Sequence, residues 1–145
     1  MKKILGCILF TFLVFSIYFY QRHPLGAKVI INGYTFNVEM AVTEFEKQKG
    51  LGGRDSLPAN SGMLFIYQNK DRYGFWMKDM RFGLDYIWIE DNTVVDLSQH
   101  IPAPNVGERP VELVPRVPVN KVLEVNTGTI ASYGIRIGDP VQFTD

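Results

Sequence analysis

Residues 84–90 read Leu-Asp-Tyr-Ile-Trp-Ile-Glu, followed at once by Asp91-Asn92 and then by Thr93-Val94-Val95-Asp96-Leu97. Side chains alternate across a strand, so Leu84, Tyr86 and Trp88 share one face while Asp85, Ile87 and Ile89 share the other. Both faces are largely apolar, as in a central strand covered on two sides. Asp91-Asn92 makes a tight turn, and 93–97 returns as the partner strand.

The same reading extends outward from this hairpin. Upstream, 29–31 and 34–40 are β-branched or aromatic runs separated by Asn32-Gly33, the pair best suited to a type I′ turn. Thr43 stands three residues before Glu46, the spacing of a capping box, and predicts one short helix to about Lys49. Gly50, Gly52 and Gly53 end that helix, and a polar loop leads to an apolar strand at 63–67. Further strands are expected at 74–78, 121–126 and 141–143, with 134–139 as the last turn. Between His100 and Pro118 stand five prolines, which lack the N–H that central pairing requires, so a long surface loop is expected there. About 118 residues suffice for one domain and leave no room for a second.

The first 27 residues are of another kind. Met1-Lys2-Lys3 precede Ile4 to Tyr20, a charge-free run rich in Phe, Leu and Ile. Seventeen residues at helical rise reach about 26 Å, close to the roughly 30 Å of a bilayer core. Leading lysines favour a cytoplasmic N-terminus, and Tyr18, Phe19 and Tyr20 suit the far interface. The expectation is a single-pass signal anchor, with a linker to residue 27, holding a β domain (28–145) on the extracytoplasmic side. A cleaved leader, giving a secreted or periplasmic domain, is the alternative; Leu25-Gly26-Ala27 only weakly resembles a cleavage site.

Lysine and arginine together number 15, as do aspartate and glutamate, but Lys2, Lys3 and Arg22 precede the domain and leave it mildly acidic. It lacks the clustered basic stripe of a nucleic-acid binder, so no DNA or RNA partner is expected. The one cysteine, Cys7, lies in the apolar segment, and His100 is the sole histidine beyond the linker. No motif for a metal, a cofactor or a cysteine nucleophile results.

Four blocks in order, GLGGRDSLPANSGMLFIY (50–67), FWMKDMRFGLDYIWIE (75–90), VLEVNTG (122–128) and GIRIGD (134–139), resemble the domain of unknown function 192 family. The resemblance covers about 27–143. It implies a small β-sandwich or flattened barrel of jelly-roll type with a short helix, often exported, and of no established activity. Two places depart from the family pattern: Gly52, where Met is usual, and Asp79-Met80, where Asn-Thr is usual.

Within these blocks the candidate ligand-binding residues are Arg54, Trp76, Lys78, Asp85 and Glu124. Buried in an apolar strand, Asp85 needs a partner such as Arg54 or Lys78. Tyr73, Phe75, Trp76, Tyr86 and Trp88 supply flat rings of the kind that bind sugars, although such rings also fill β cores. The leading expectation is a binding module for a small polar ligand, carbohydrate or peptide. Its rivals are an envelope hydrolase or lyase using Asp85 and Glu124 as a carboxylate pair, and an accessory subunit with an unknown protein partner.

Overall fold

The computed structural model describes residues 26–144. The anchor expectation, which falls on residues 4–20, lies outside them. Among the described residues no helix is long and apolar enough to cross a membrane.

The chain is mainly β. Strand β1 (Lys28–Ile31) turns into β2 (Tyr34–Ala41) through Asn32 and Gly33, whose φ values of 53° and 78° are both in the left-handed region a type I′ turn demands. Helix α1 (Glu44–Lys49) follows with the expected capping box: Thr43 Oγ1 accepts from Glu46 N at 3.3 Å, and Glu46 Oε2 accepts from Thr43 N at 2.8 Å. Because α1 and its loop carry the chain back, β3 (Ser61–Asp71) lies parallel to β2, a pairing no tight hairpin can make. Strands β5 (Leu84–Glu90), β6 (Thr93–Ile101), β8 (Val119–Asn126) and β9 (Val141–Thr144) complete a seven-stranded sheet in the order β6-β5-β8-β3-β2-β1-β9.

This sheet is one curled layer, a half-barrel. Its two edges meet at one end, where Val94 N donates to Asp139 O (3.0 Å) and Val141 N donates to Asn92 O (2.8 Å). Both sides are covered, as the 84–90 alternation requires. Ile87, Ile89, Leu123 and Val125 join a core with Val29, Ile31 and Phe36, while Tyr86, Trp88 and Val122 join another with Phe65, Phe75 and Met77.

Three elements differ from expectation. The strand expected at 74–78 is only β4 (Phe75–Trp76); it pairs with β7 (Glu112–Leu113) from the proline-rich stretch, in a separate two-stranded sheet. Asp79, at φ 58°, turns the chain away soon after Trp76. Strand β6 continues to Ile101 across a register shift at which His100 takes φ 56°. A single-turn helix, α2 (Thr129–Ser132), precedes the final turn and is not foreshadowed by any cap.

Candidate functional site

Glu124 lies in β8 between Met63 of β3 and Tyr86 of β5, three strands whose side chains on this face are large and apolar. The residue is only 4% exposed, and its Oε2 is buried without a hydrogen-bond partner. A buried carboxylate left in this state is costly when ionised. Loss of solvent accordingly pushes the Glu124 carboxyl up to about 8, although the Tyr86 hydroxyl and the Arg54 charge pull the other way. The Tyr86 hydroxyl also lies 3.2 Å from Met77 Sδ, a weak acceptor that leaves its proton free to turn to Glu124.

Above Glu124 the chain passes as Gly50, the residue that closes α1 at φ 48°. A Cβ there would stand 3.4 Å from Phe65 Cζ and 3.9 Å from Glu124 Oε2, so the glycine holds the backbone close over the carboxyl. Beside it opens a cleft of about 950 Å³, with Glu124 among its lining residues. Tyr67 and Tyr73 stack at 3.6 Å along it, and Phe75 meets Phe65 edge-on at 4.9 Å. Two lysines already lie over rings of the cleft: Lys47 Nζ is 4.4 Å from the Tyr67 centroid and Lys78 Nζ is 5.5 Å from that of Trp76. Burial, and after it the carboxylates of Glu44 and Glu124, hold the Tyr67 hydroxyl above its ordinary range.

Of the five candidates named from sequence, Trp76, Lys78 and Glu124 line this one cleft. Trp76 is half exposed, its ring open to solvent beside Lys78. Arg54 lies outside, bound through both terminal nitrogens to Glu39 at 2.6 and 2.7 Å. Asp85 faces the opposite side of the sheet. Fully buried, it accepts from His100 N at 2.8 Å and from Ile130 N at 3.0 Å, so its partners are backbone N–H groups rather than the Arg54 or Lys78 side chain expected from sequence. One carboxylate oxygen thus fixes the bulge at His100 and the other ties down α2. Asp85 and Glu124, on opposite faces, do not form a carboxylate pair across a common cleft, which removes the pairing on which the hydrolase reading rested. Trp88 is core, with Nε1 donating to Ser98 Oγ at 3.0 Å.

Sequence reasoning missed Lys47, Tyr67 and Gly50. The capped helix and the glycine run after it were visible, but nothing local says that the helix end folds over β3.

A family model described as Uncharacterized ACR (DUF192) matches residues 27–143. The chain belongs to the DUF192 family. Two solved structures are similar to this DUF192 chain. One, a protein of unknown function from Novosphingobium aromaticivorans DSM 12444, is 31% identical at a TM-score of 0.72, over 79% of this chain and 83% of that one. The other, from Sinorhizobium meliloti 1021 and described as a candidate transcription regulator, is 27% identical at a TM-score of 0.71, over 81% and 91%. No curated protein matches the chain. The two departures from the family pattern are neighbours here: a Cβ on Gly52 would stand 3.6 Å from Asp79 Cβ and 3.2 Å from Lys78 O, and Gly53 N donates to Asp79 O at 2.8 Å. Both therefore shape the loop that carries Lys78 to the cleft rim.

Proposed function

We propose that this DUF192 domain is a binding module for a small polar ligand, a saccharide or short peptide, seated in the cleft above Glu124. One observation carries the reading: a buried carboxyl with an unpartnered oxygen at an open, aromatic-walled cleft. Small-molecule sites combine apolar and aromatic walls with a few placed polar groups, and an unsatisfied buried group is one that a ligand can satisfy. Trp76 offers a flat exposed face, and Lys78 beside it offers a charge.

In this proposal residues 4–20 anchor the chain in the cell membrane and the domain faces the extracytoplasmic side. Lys2 and Lys3 before a charge-free run support that placement. A mildly acidic domain without a basic stripe is poorly suited to the phosphate backbone of a nucleic acid, which speaks against a regulator's role for this chain.

The test is ligand-induced change in melting temperature, using the full chain in mild detergent against a panel of saccharides and short peptides. A ligand binding only the folded state at a hundredfold excess over its Kd stabilises it by about 2.7 kcal/mol, well within reach of a melt. Trp76→Ala should abolish any shift. A panel without a single hit counts against the binding module.

A second reading, an accessory subunit without a small-molecule site, draws on Val106, Val111, Val114 and Val117, all exposed along the proline-rich stretch. The cleft argues for the first reading, because an interaction surface alone leaves the buried Glu124 oxygen unexplained.

A further inference from the structure

Charge is distributed unevenly between the cleft and the rest of the domain. The domain as a whole has more acidic than basic residues, yet the cleft is lined by Lys47, Lys49 and Lys78 against Glu44 and Glu124. Glu44 is already paired to Lys47 at 3.1 Å. Lys49 and Lys78 form no ion pair among the described residues, and both side chains are exposed. The π faces of Tyr67 and Trp76, which would draw a ligand's ammonium group, already carry Lys47 and Lys78. A cationic ligand would therefore meet the chain's own cations at the places best suited to hold it.

We infer that the ligand of this cleft is an acidic saccharide: a sugar whose ring lies against Trp76, whose carboxylate meets the rim lysines, and whose hydroxyl or ring oxygen accepts a hydrogen bond from the Glu124 carboxyl. This rests on the binding-module reading and adds the class of ligand. Three features of the cleft carry it together. The Trp76 indole, half exposed even with Lys78 over its ring, suits the flat apolar face of a sugar ring. Two lysines without a carboxylate partner attract a carboxylate and select against a neutral sugar. A buried carboxyl with an unpartnered oxygen lines the same cleft, and burial pushes it up to about 8, so while protonated it donates a hydrogen bond and adds no repulsion toward an anion.

A linkage of definite sign follows. The groups that act on Glu124 are the Tyr86 hydroxyl from β5, the Tyr67 hydroxyl from β3 and Arg54 from the loop after α1, and the other titratable groups lining the cleft are Glu44, Lys47 and Lys49 from α1, Tyr73 before β4 and Lys78 after it. The hydroxyls of Tyr67 and Tyr86 and the Arg54 guanidinium are held above their ordinary ranges, which are already alkaline, whereas burial pushes the Glu124 carboxyl up to about 8, so Glu124 titrates closer to neutrality than any of these three. An anion bound next to it favours the protonated form and takes up a proton on binding. An ammonium ligand would expel one.

The experiment is calorimetric titration of the full chain in mild detergent with short oligouronates and with the matching neutral oligosaccharides, at pH 6 and at pH 9. The acidic series is expected to bind at least about tenfold more tightly than the neutral one, the usual size of a charge-assisted hydrogen bond. With Glu124 titrating near 8, affinity should fall about tenfold from pH 6 to pH 9. Glu124→Gln keeps a donor and should bind with no pH dependence over that range. Lys78→Gln, on an exposed residue that does not threaten folding, should remove the preference for the acidic series, whereas Lys70→Gln, outside the cleft, should leave it intact. Equal binding of neutral and acidic sugars, or affinity that rises with pH, overturns the inference while leaving a small-ligand site in place. Binding of peptides and of no saccharide does the same. A cleft that binds nothing in either panel sinks the broader reading as well.

Discussion

Replacing Glu124 with Gln should make the domain more stable at mildly alkaline pH and leave it no more stable in acid. In the unfolded chain this carboxyl ionises near its ordinary value of 4.5; in the folded domain burial pushes it up to about 8. Between those values the folded state holds a proton that the unfolded state has released, so stability falls as pH rises, at about 1.4 kcal/mol per pH step. The stabilisation is complete below about pH 4.5 and is lost as pH rises through about 8, where the accumulated loss has a ceiling of about 5 kcal/mol. Water drawn in from the open cleft on ionisation reduces it, and the Gln amide, whose N–H groups also need partners, costs about 1 kcal/mol. The expected net gain for Glu124→Gln is therefore about 2–4 kcal/mol near pH 8.5, and a loss of up to about 1 kcal/mol near pH 4.5. Urea unfolding of both proteins across that range, with the slope on urea checked for constancy, measures the difference directly. Asp91 and Asp96, which their hydrogen bonds hold below the usual carboxylate range, tilt stability the opposite way in acid, but equally in both proteins. Parallel pH profiles for wild type and variant would refute the reasoning, because they would mean that Glu124 ionises in the folded state as readily as in water.

Asp85→Ala should cost about 3 kcal/mol in urea unfolding, since it leaves the His100 and Ile130 N–H groups without an acceptor, and it should leave ligand binding in the cleft unchanged. Asp96→Ala should release Arg116, whose backbone N and side chain both donate to that carboxylate, and amide exchange at Arg116 should rise by at least about tenfold while β5 and β8 stay protected. Gly62→Ala should destabilise by about 2 kcal/mol or more, because its Cβ would fall 2.7 Å from Glu124 O and 2.9 Å from Leu123 Cδ1 with backbone on one side; thermal melting reads it, and an unchanged melting temperature would show that β3 and β8 can separate freely.

What could be read in the sequence was whatever is decided by near neighbours. The Asn32-Gly33 turn, the Thr43–Glu46 cap and the two-faced strand at 84–90 each depend on residues within a turn or a strand, and each is found as read. The site was half legible for the same reason. Trp76 and Lys78, two residues apart, announce a shared rim, and both line the cleft. What failed was every inference that needed the sheet order. Asp85 and Glu124 come to lie on adjacent strands, but strand register decides which face each side chain takes: Asp85 stands opposite Val125 and Glu124 opposite Tyr86, so the pair is divided by the sheet itself. A shift of one residue would have put both on one face. The same dependence hides Arg54, whose partner Glu39 lies in β2, a strand brought beside β3 only by the parallel crossover. It also hides β7, which is a strand because β4 is next to it, although prolines at 110 and 115 bound it so closely that it spans only two residues.

The contrast between the two buried carboxylates carries the functional argument further than either does alone. Both lie in the middle of the sheet and both are almost wholly removed from water, so burial by itself does not distinguish them. Their partners do. Asp85 accepts from two backbone N–H groups, one on each oxygen, as a carboxylate does when it organises a bulge and a helix start. Glu124 has an oxygen with no partner, a glycine in place of a side chain above it, and a cleft beside it with lysines at the rim. If Glu124 served only to fix strand register, an apolar residue in its place would be neutral or stabilising and nothing else would change. Glu124→Leu tests that directly: a structural role predicts higher stability with every ligand response intact, whereas a site role predicts higher stability together with loss of binding. Gain of stability coupled to loss of binding is the signature of a group kept unsatisfied for a ligand.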